Sequence, residues 1–170
     1  MDAAAEWHDA AMTTSRAAGT APVTVDRAAI EHRLITMRKS VVQLDSLGRL
    51  DSARLANDPG TGLAVERVLA LLNDLAFVIN RHVCEGVLGE APPRTPAASF
   101  GAAERAGLID AELAAALAPA DGPHHVLVQL CLDAEPEEVA AVVSAARSGY
   151  REYVRQVTDW ISASAPGRAV

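Results

Sequence analysis

The residues of this chain best suited by type to chemistry gather in one stretch, GPHHVLVQLCLDAEPEEV, from Gly122 to Val139. It holds the adjacent histidines His124 and His125, then Gln129, then Cys131. An imidazole can carry a proton or bind a metal, and a thiolate can bind a metal or attack. An amide such as Gln129 can do neither and only hydrogen-bonds. His124, His125 and Cys131 are three possible ligands, but neighbouring residues on a helix diverge by about 100°. Two adjacent histidines are therefore poor chelators of one ion, and no metal site is expected. The zinc-protease, zinc-finger and deaminase spacings are absent, as is any glycine-rich run beside a Lys and a Ser or Thr that would cradle phosphate. No Ser/His/Asp arrangement stands out. The stretch ends as a helix start: Pro136 suits the first helical position, and Glu137 and Glu138 suit the positive end of the helix dipole.

The elements that must position these residues read as helices throughout. The chain has 170 residues, half of them apolar and only six aromatic. Ala, Val and Leu must therefore build the core of one domain. Thr24 or Asp26 can cap the first long helix, where Ile30, Leu34, Met37, Val41, Leu44 and Leu47 form a single stripe. Gly48 ends it. A short segment from Leu50 to Ala56 and an Asn-Asp-Pro-Gly turn at Asn57–Gly60 follow. The most apolar helix runs from about Gly62 to Leu88, with Asn73, Asp74, Asn80 and His82 as its polar exceptions. These four form either a solvated strip or the lining of a cleft, and Asp74 and His82 are the cleft candidates. Gly89 and Pro92-Pro93 stop this helix. Ser99 is expected to cap a short helix through Ala106, and Asp110 another through Ala118. The last helix carries Val139, Val142, Val143, Ala146, Tyr150, Val154, Val157, Trp160 and Ile161 on one stripe, and frays from Ser162. The expectation is an all-α bundle of three long and several short helices, near-antiparallel, over residues 24–163. Residues 1–23 and 164–170 are read as tails, and Met12 as an alternative start that would remove only tail.

Composition narrows the function. A formal net charge of −7 repels a phosphate backbone at long range and disfavours general coating of nucleic acid, although a local basic cleft stays open. Two cysteines in apolar surroundings, Cys84 and Cys131, read as buried free thiols in a reducing cytoplasm. No 18-residue apolar run suggests a membrane span. The central helix is too apolar for one small bundle to cover, which points to a two-fold dimer.

Four pieces, in order, resemble the HepT-like branch of the HEPN superfamily. AVERVLALLNDLAFVI (Ala64 to Ile79) is similar to its central helix. SFGAAERAGLIDAELAAAL (Ser99 to Leu117) is similar to its connecting segment. DAEPEEV (Asp133 to Val139) resembles the start of its last helix, and GPHHVLVQLC stands where members read G-F-R-N-V-L-V-H-E-Y. The similarity spans about residues 25 to 163. It implies a homodimeric helical bundle without cofactor or metal, of a family of toxins that cut RNA with an R-x-x-x-x-H-x-Y motif at the dimer cleft. It also implies a partner, a minimal nucleotidyltransferase antitoxin (MntA-like) that adenylylates the motif tyrosine. In this chain the arginine position holds His124, the histidine position Gln129 and the tyrosine position Cys131. His124 lacks the permanent forked charge that grips a phosphate. Gln129 cannot transfer a proton, a loss that typically costs about 10²–10⁴-fold. Cys131 offers no phenol for adenylylation. The expectation is a toxin–antitoxin protein whose ribonuclease site is inactive and which persists as a dimeric binding or regulatory subunit. One alternative is an active ribonuclease rewired around His124 and His125, since His125 lies four residues before Gln129 and can share its helix face. Pro123 disfavours it by reshaping the backbone there. A helical scaffold with no link to RNA is the other alternative.

Overall fold

A computed structural model describes residues 24–48, 50–118 and 136–164. They form six helices and no strand, so the expected all-α class holds among the described residues. The long helices are α1 (Arg27–Ser46), α3 (Pro59–Leu88) and α6 (Pro136–Ala163). The short ones are α2 (Ser52–Asn57), α4 (Pro96–Arg105) and α5 (Ala111–Leu117).

Side-chain caps set where most of these helices begin. Asp26, rather than Thr24, opens α1 by accepting from the Ala29 N–H at 3.0 Å. Asp51 does the same for α2 through Arg54, and Asp110 for α5 through Leu113. Each carboxylate satisfies one of the N–H groups that a helix start leaves without a partner. The Asn57–Gly60 turn is instead a corner: α2 ends at Asn57, Asp58 caps α3, and Pro59 is already helical. Asp58 accepts from the Thr61 N–H at 3.1 Å and from the Thr61 hydroxyl at 2.6 Å. Those bonds, the hydroxyl first, hold its carboxyl below the usual carboxylate range. Proline at a first helical position loses nothing, because its missing N–H would have had no partner there. The central helix therefore starts three residues earlier than expected. α4 also differs from expectation. Thr95 caps it, accepting from Ala98, while Ser99 lies inside the helix and is fully buried.

The three long helices do not all alternate in direction. Asp26 at the start of α1 meets His82 near the end of α3. Arg38 donates to Thr158 at 2.7 Å, and Arg151 reaches Asp45 with both contacts at 2.8 Å, so α1 and α6 run opposite ways. With α1 antiparallel to both, α3 and α6 run parallel, as the pairs Asn73–Tyr150 and Asn80–Tyr153 require. The near-antiparallel expectation holds for α1 with both of its neighbours and fails for α3 with α6, which are far apart in the chain, from Leu88 to Pro136.

The core is built largely from the predicted stripes. Ile30, Leu34, Met37, Val41 and Leu44 of α1 are buried against Val65, Leu69, Leu72, Ile79 and Val83 of α3 and Val143, Ala146, Val157 and Ile161 of α6. α5 sits so close to α6 that a Cβ on Gly149 would come within 2.9 Å of Leu117 Cδ2. Gln156 fixes that contact by accepting from the Asp110 N–H and donating to its carboxylate. No helix among the described residues is long and apolar enough to cross a membrane.

Candidate functional site

The polar residues that the sequence leaves on α3 divide by depth. Asn73 and Asn80 are buried, at 1% and 0% exposure, while Asp74 is exposed. Asn73 and Asn80 are seven residues apart and share the core face with Leu69, Leu72, Ala76 and Ile79. Across from them on α6 stand Tyr150 and Tyr153, both fully buried. Tyr153 donates to Asn80 Oδ1 at 2.7 Å, with the Ala76 carbonyl at 3.4 Å. Asn80 Nδ2 donates to Ser99 Oγ at 3.1 Å, and Ser99 donates to the Pro96 carbonyl at 2.6 Å. One chain of bonds thus runs from α6 through α3 into α4. Phe100 closes it off with its ring edge-on to Tyr153, centroids 6.3 Å apart. One turn earlier, Tyr150 donates to Asn73 Oδ1 at 3.4 Å. Asn73 Nδ2 has no partner among the described residues.

This cluster joins helices and is chemically quiet. Burial, and secondarily the nearby Asp74 carboxylate, pushes the Tyr150 phenol well above its ordinary value. Burial also raises Tyr153, with Tyr150 adding to the effect. A phenol so reluctant to ionise is neither base nor nucleophile near neutral pH, and amides do not titrate. Cys84 lies in the same core, and burial pushes its thiol up as well. Thiolate chemistry is correspondingly suppressed. Asn73 and Asn80 therefore belong neither to a solvated strip nor to a cleft lining, but to the core. Their sequence signal was their placement on the same helical face as the core leucines. Tyr153 and Ser99, which complete the network, carry no such signal.

The two cleft candidates do different jobs. His82 is half-buried, and its Nε2 accepts from the Asp26 backbone N–H at 2.7 Å, tying the end of α3 to the start of α1. That bond occupies the Nε2 lone pair, so His82 serves as a clasp. Asp74 lines a groove of about 460 Å³ with Gln43 of α1 and Ala64, Arg67, Val68, Ala70 and Leu71 of α3. Opposite charges at Arg67 and Asp74 flank an apolar floor. That arrangement suits docking of another surface and lacks a group to drive a reaction. A smaller pocket of about 240 Å³ lies between Leu50, Asp51, Ala140, Val143, Ser144 and Arg147. Asp45 already takes Arg147 at 3.8 Å and Arg151 at 2.8 Å.

His124, His125, Gln129 and Cys131, the motif-equivalent and neighbouring positions, lie outside the described residues. Among the described residues, no group of three or more His, Cys, Asp or Glu side chains could hold a metal ion. The remaining described histidine, His32, is exposed on α1. Neither the models of known protein families nor the curated proteins contain a match to this chain.

Proposed function

We propose that this chain is a HepT-like member of the HEPN superfamily whose ribonuclease site has decayed, acting in the cytoplasm as a dimeric binding or regulatory subunit of toxin–antitoxin type. The observation that carries the proposal is the joint replacement at the three motif positions, by His124, Gln129 and Cys131. The arginine's forked charge, the proton-transferring imidazole and the phenol that receives the silencing adenylyl group are lost together. A protein that has stopped cutting has no need of silencing, so the three losses are mutually consistent. The order of long and short helices supports the reading, as does the commitment of the polar side chains on α3. His82 holds a backbone N–H, and Asn80 and Tyr153 hold each other. None is placed to take over proton transfer.

In this role the dimer binds without cutting. Its partners are an MntA-like nucleotidyltransferase, docked without a tyrosine acceptor, or an RNA end held at a local site despite the net charge of −7. The test is RNA cleavage by the purified full chain, alongside His124→Ala and His125→Ala, with an intact-motif relative as the positive control. No cleavage under conditions where the relative cuts supports the decayed site. Cleavage that disappears in either histidine variant replaces it with an active ribonuclease rebuilt around His124 and His125. An inert chain that binds neither RNA nor the nucleotidyltransferase leaves a helical scaffold.

A further inference from the structure

The outer face of α3 carries an arrangement that reads nearly the same in both directions. Leu63, Arg67, Leu71, Asp74, Val78 and Arg81 are exposed at helical spacings that keep them on one face, and the first five make up the symmetric part. Leu63 is 68% exposed, Leu71 42% and Val78 41%, unusual for large apolar side chains on an otherwise well-packed helix. Arg67 and Asp74 have no ion-pair partner among the described residues, although each borders the same groove. Taking the midpoint between Ala70 and Leu71, Leu63 mirrors Val78, Arg67 mirrors Asp74, and Ala70 mirrors Leu71.

A helix with that symmetry is complementary to itself run backwards. We propose that the occupant of this face is a second copy of the chain, packed antiparallel through α3 about a two-fold axis between Ala70 and Leu71. Each Leu63 then covers a Val78 across the axis. Each Arg67 meets an Asp74, giving two equivalent ion pairs on either side of an apolar centre. The small side chain of Ala70 lets the helices approach at the axis. A foreign peptide would need the same charge order by coincidence, whereas a second copy supplies it automatically.

Size brings in a second helix. The span from Leu63 to Val78 is about 23 Å of helix, and a strip that long and about 10 Å wide offers roughly 230 Å² per protomer. Stable interfaces need about 800 Å² per partner, so α3 alone is too little. The groove between the two helices, lined by Gln43 of α1 with Ala64 and Val68 of α3, widens the contact beyond that strip. This seam rests on the dimer of the proposed function but is independent of any RNA chemistry.

The test is the mass of the full chain in solution, by light scattering or sedimentation over a concentration series. Circular dichroism confirms that each variant keeps its helices. The wild type is expected to be a dimer. Arg67→Asp and Asp74→Arg each place two like-charge pairs across the axis and should weaken dimerisation by about tenfold or more. The double variant R67D/D74R reverses both partners and should restore it. Leu71→Asp should give a monomer, while Val87→Asp, 47% exposed but off the stripe, should not change the mass. A monomeric wild type overturns both the seam and the dimer of the proposed function. A dimer indifferent to Leu71→Asp and to both single charge reversals overturns the seam and leaves that dimer standing. Failure of the double variant to recover overturns the Arg67–Asp74 pairing.

Discussion

Raising the pH puts the α3–α6 junction to a direct test, because the chain's two tyrosines are both buried in it. Burial pushes both phenols above their ordinary value of 10.0, so the folded state favours the neutral form. The stabilisation is complete below that value and is lost as pH rises through it, since only the unfolded chain can then release the protons. Each group contributes about 1.36 kcal/mol per pH unit above its unfolded pKa. Between about pH 9 and about pH 11 the two tyrosines together should lower the unfolding free energy by about 2.7 kcal/mol. Against a typical total of about 5–15 kcal/mol that is a large loss. Urea titrations at the two pH values, with slopes of about 1–3 kcal/mol/M, should show the midpoint falling by about 1–3 M. Cys84, also raised by burial, adds to the slope in the same direction. The decisive readout is therefore phenolate absorbance followed together with far-UV circular dichroism. Phenolate should appear only in the step that destroys the helices. Tyrosines that ionise near pH 10, about their unperturbed value, while the helical signal is intact would refute the packing of α6 on α3.

Other substitutions probe single contacts. Tyr153→Phe strips Asn80 Oδ1 of its donor at 2.7 Å and should cost about 1–3 kcal/mol in urea unfolding. His82→Ala removes the acceptor for the Asp26 N–H, and hydrogen exchange should speed up in the first turn of α1 at a cost of about 1 kcal/mol. Gly107 sits at φ +70° with open space around it, so Gly107→Ala should lose about 1–2 kcal/mol from backbone strain alone. Gly101, helical and also in open space, should instead gain about 0.5–1 kcal/mol as alanine. Hydrogen bonds from Arg155 and then Gln156 hold the Glu152 carboxyl down at about 2. Its contribution is therefore present above its ordinary 4.5 and fades as pH falls toward about 2. Because the group is exposed, this acid loss should be small, and a carboxyl NMR titration should resolve it.

Local signals carried most of the fold into the sequence. The stripes of α1 and α6, the caps Asp26 and Asp110 and the stop at Gly89 depend on residues close in the chain, and periodicity and capping report such interactions well. Thr95 and Asp58 escaped because a better-looking alternative stood nearby: Ser99 for one, a four-residue turn pattern for the other. The parallel course of α3 and α6 was illegible, since the two helices are separated in sequence from Leu88 to Pro136 and no local pattern encodes their relative direction. The buried asparagines were half legible. Their heptad spacing on the core face was visible in the sequence, but their partners Tyr150 and Tyr153 lie more than seventy residues away. Of the candidate site, Asp74 reaches a groove and His82 a backbone N–H, two outcomes that residue type alone does not separate.

The same asparagines have a consequence during synthesis. Their tyrosine partners lie 77 and 73 residues downstream, on α6, the last of the described helices. Chains fold from the N-terminus as they are made, and contacts of high sequence separation form late. For that interval the part of the inner face of α3 that α6 will cover is bare, and a purely apolar surface there would be a sticky one. The polar amides of Asn73 and Asn80 interrupt that surface until α6 arrives, and Tyr150 and Tyr153 then bond to their oxygens.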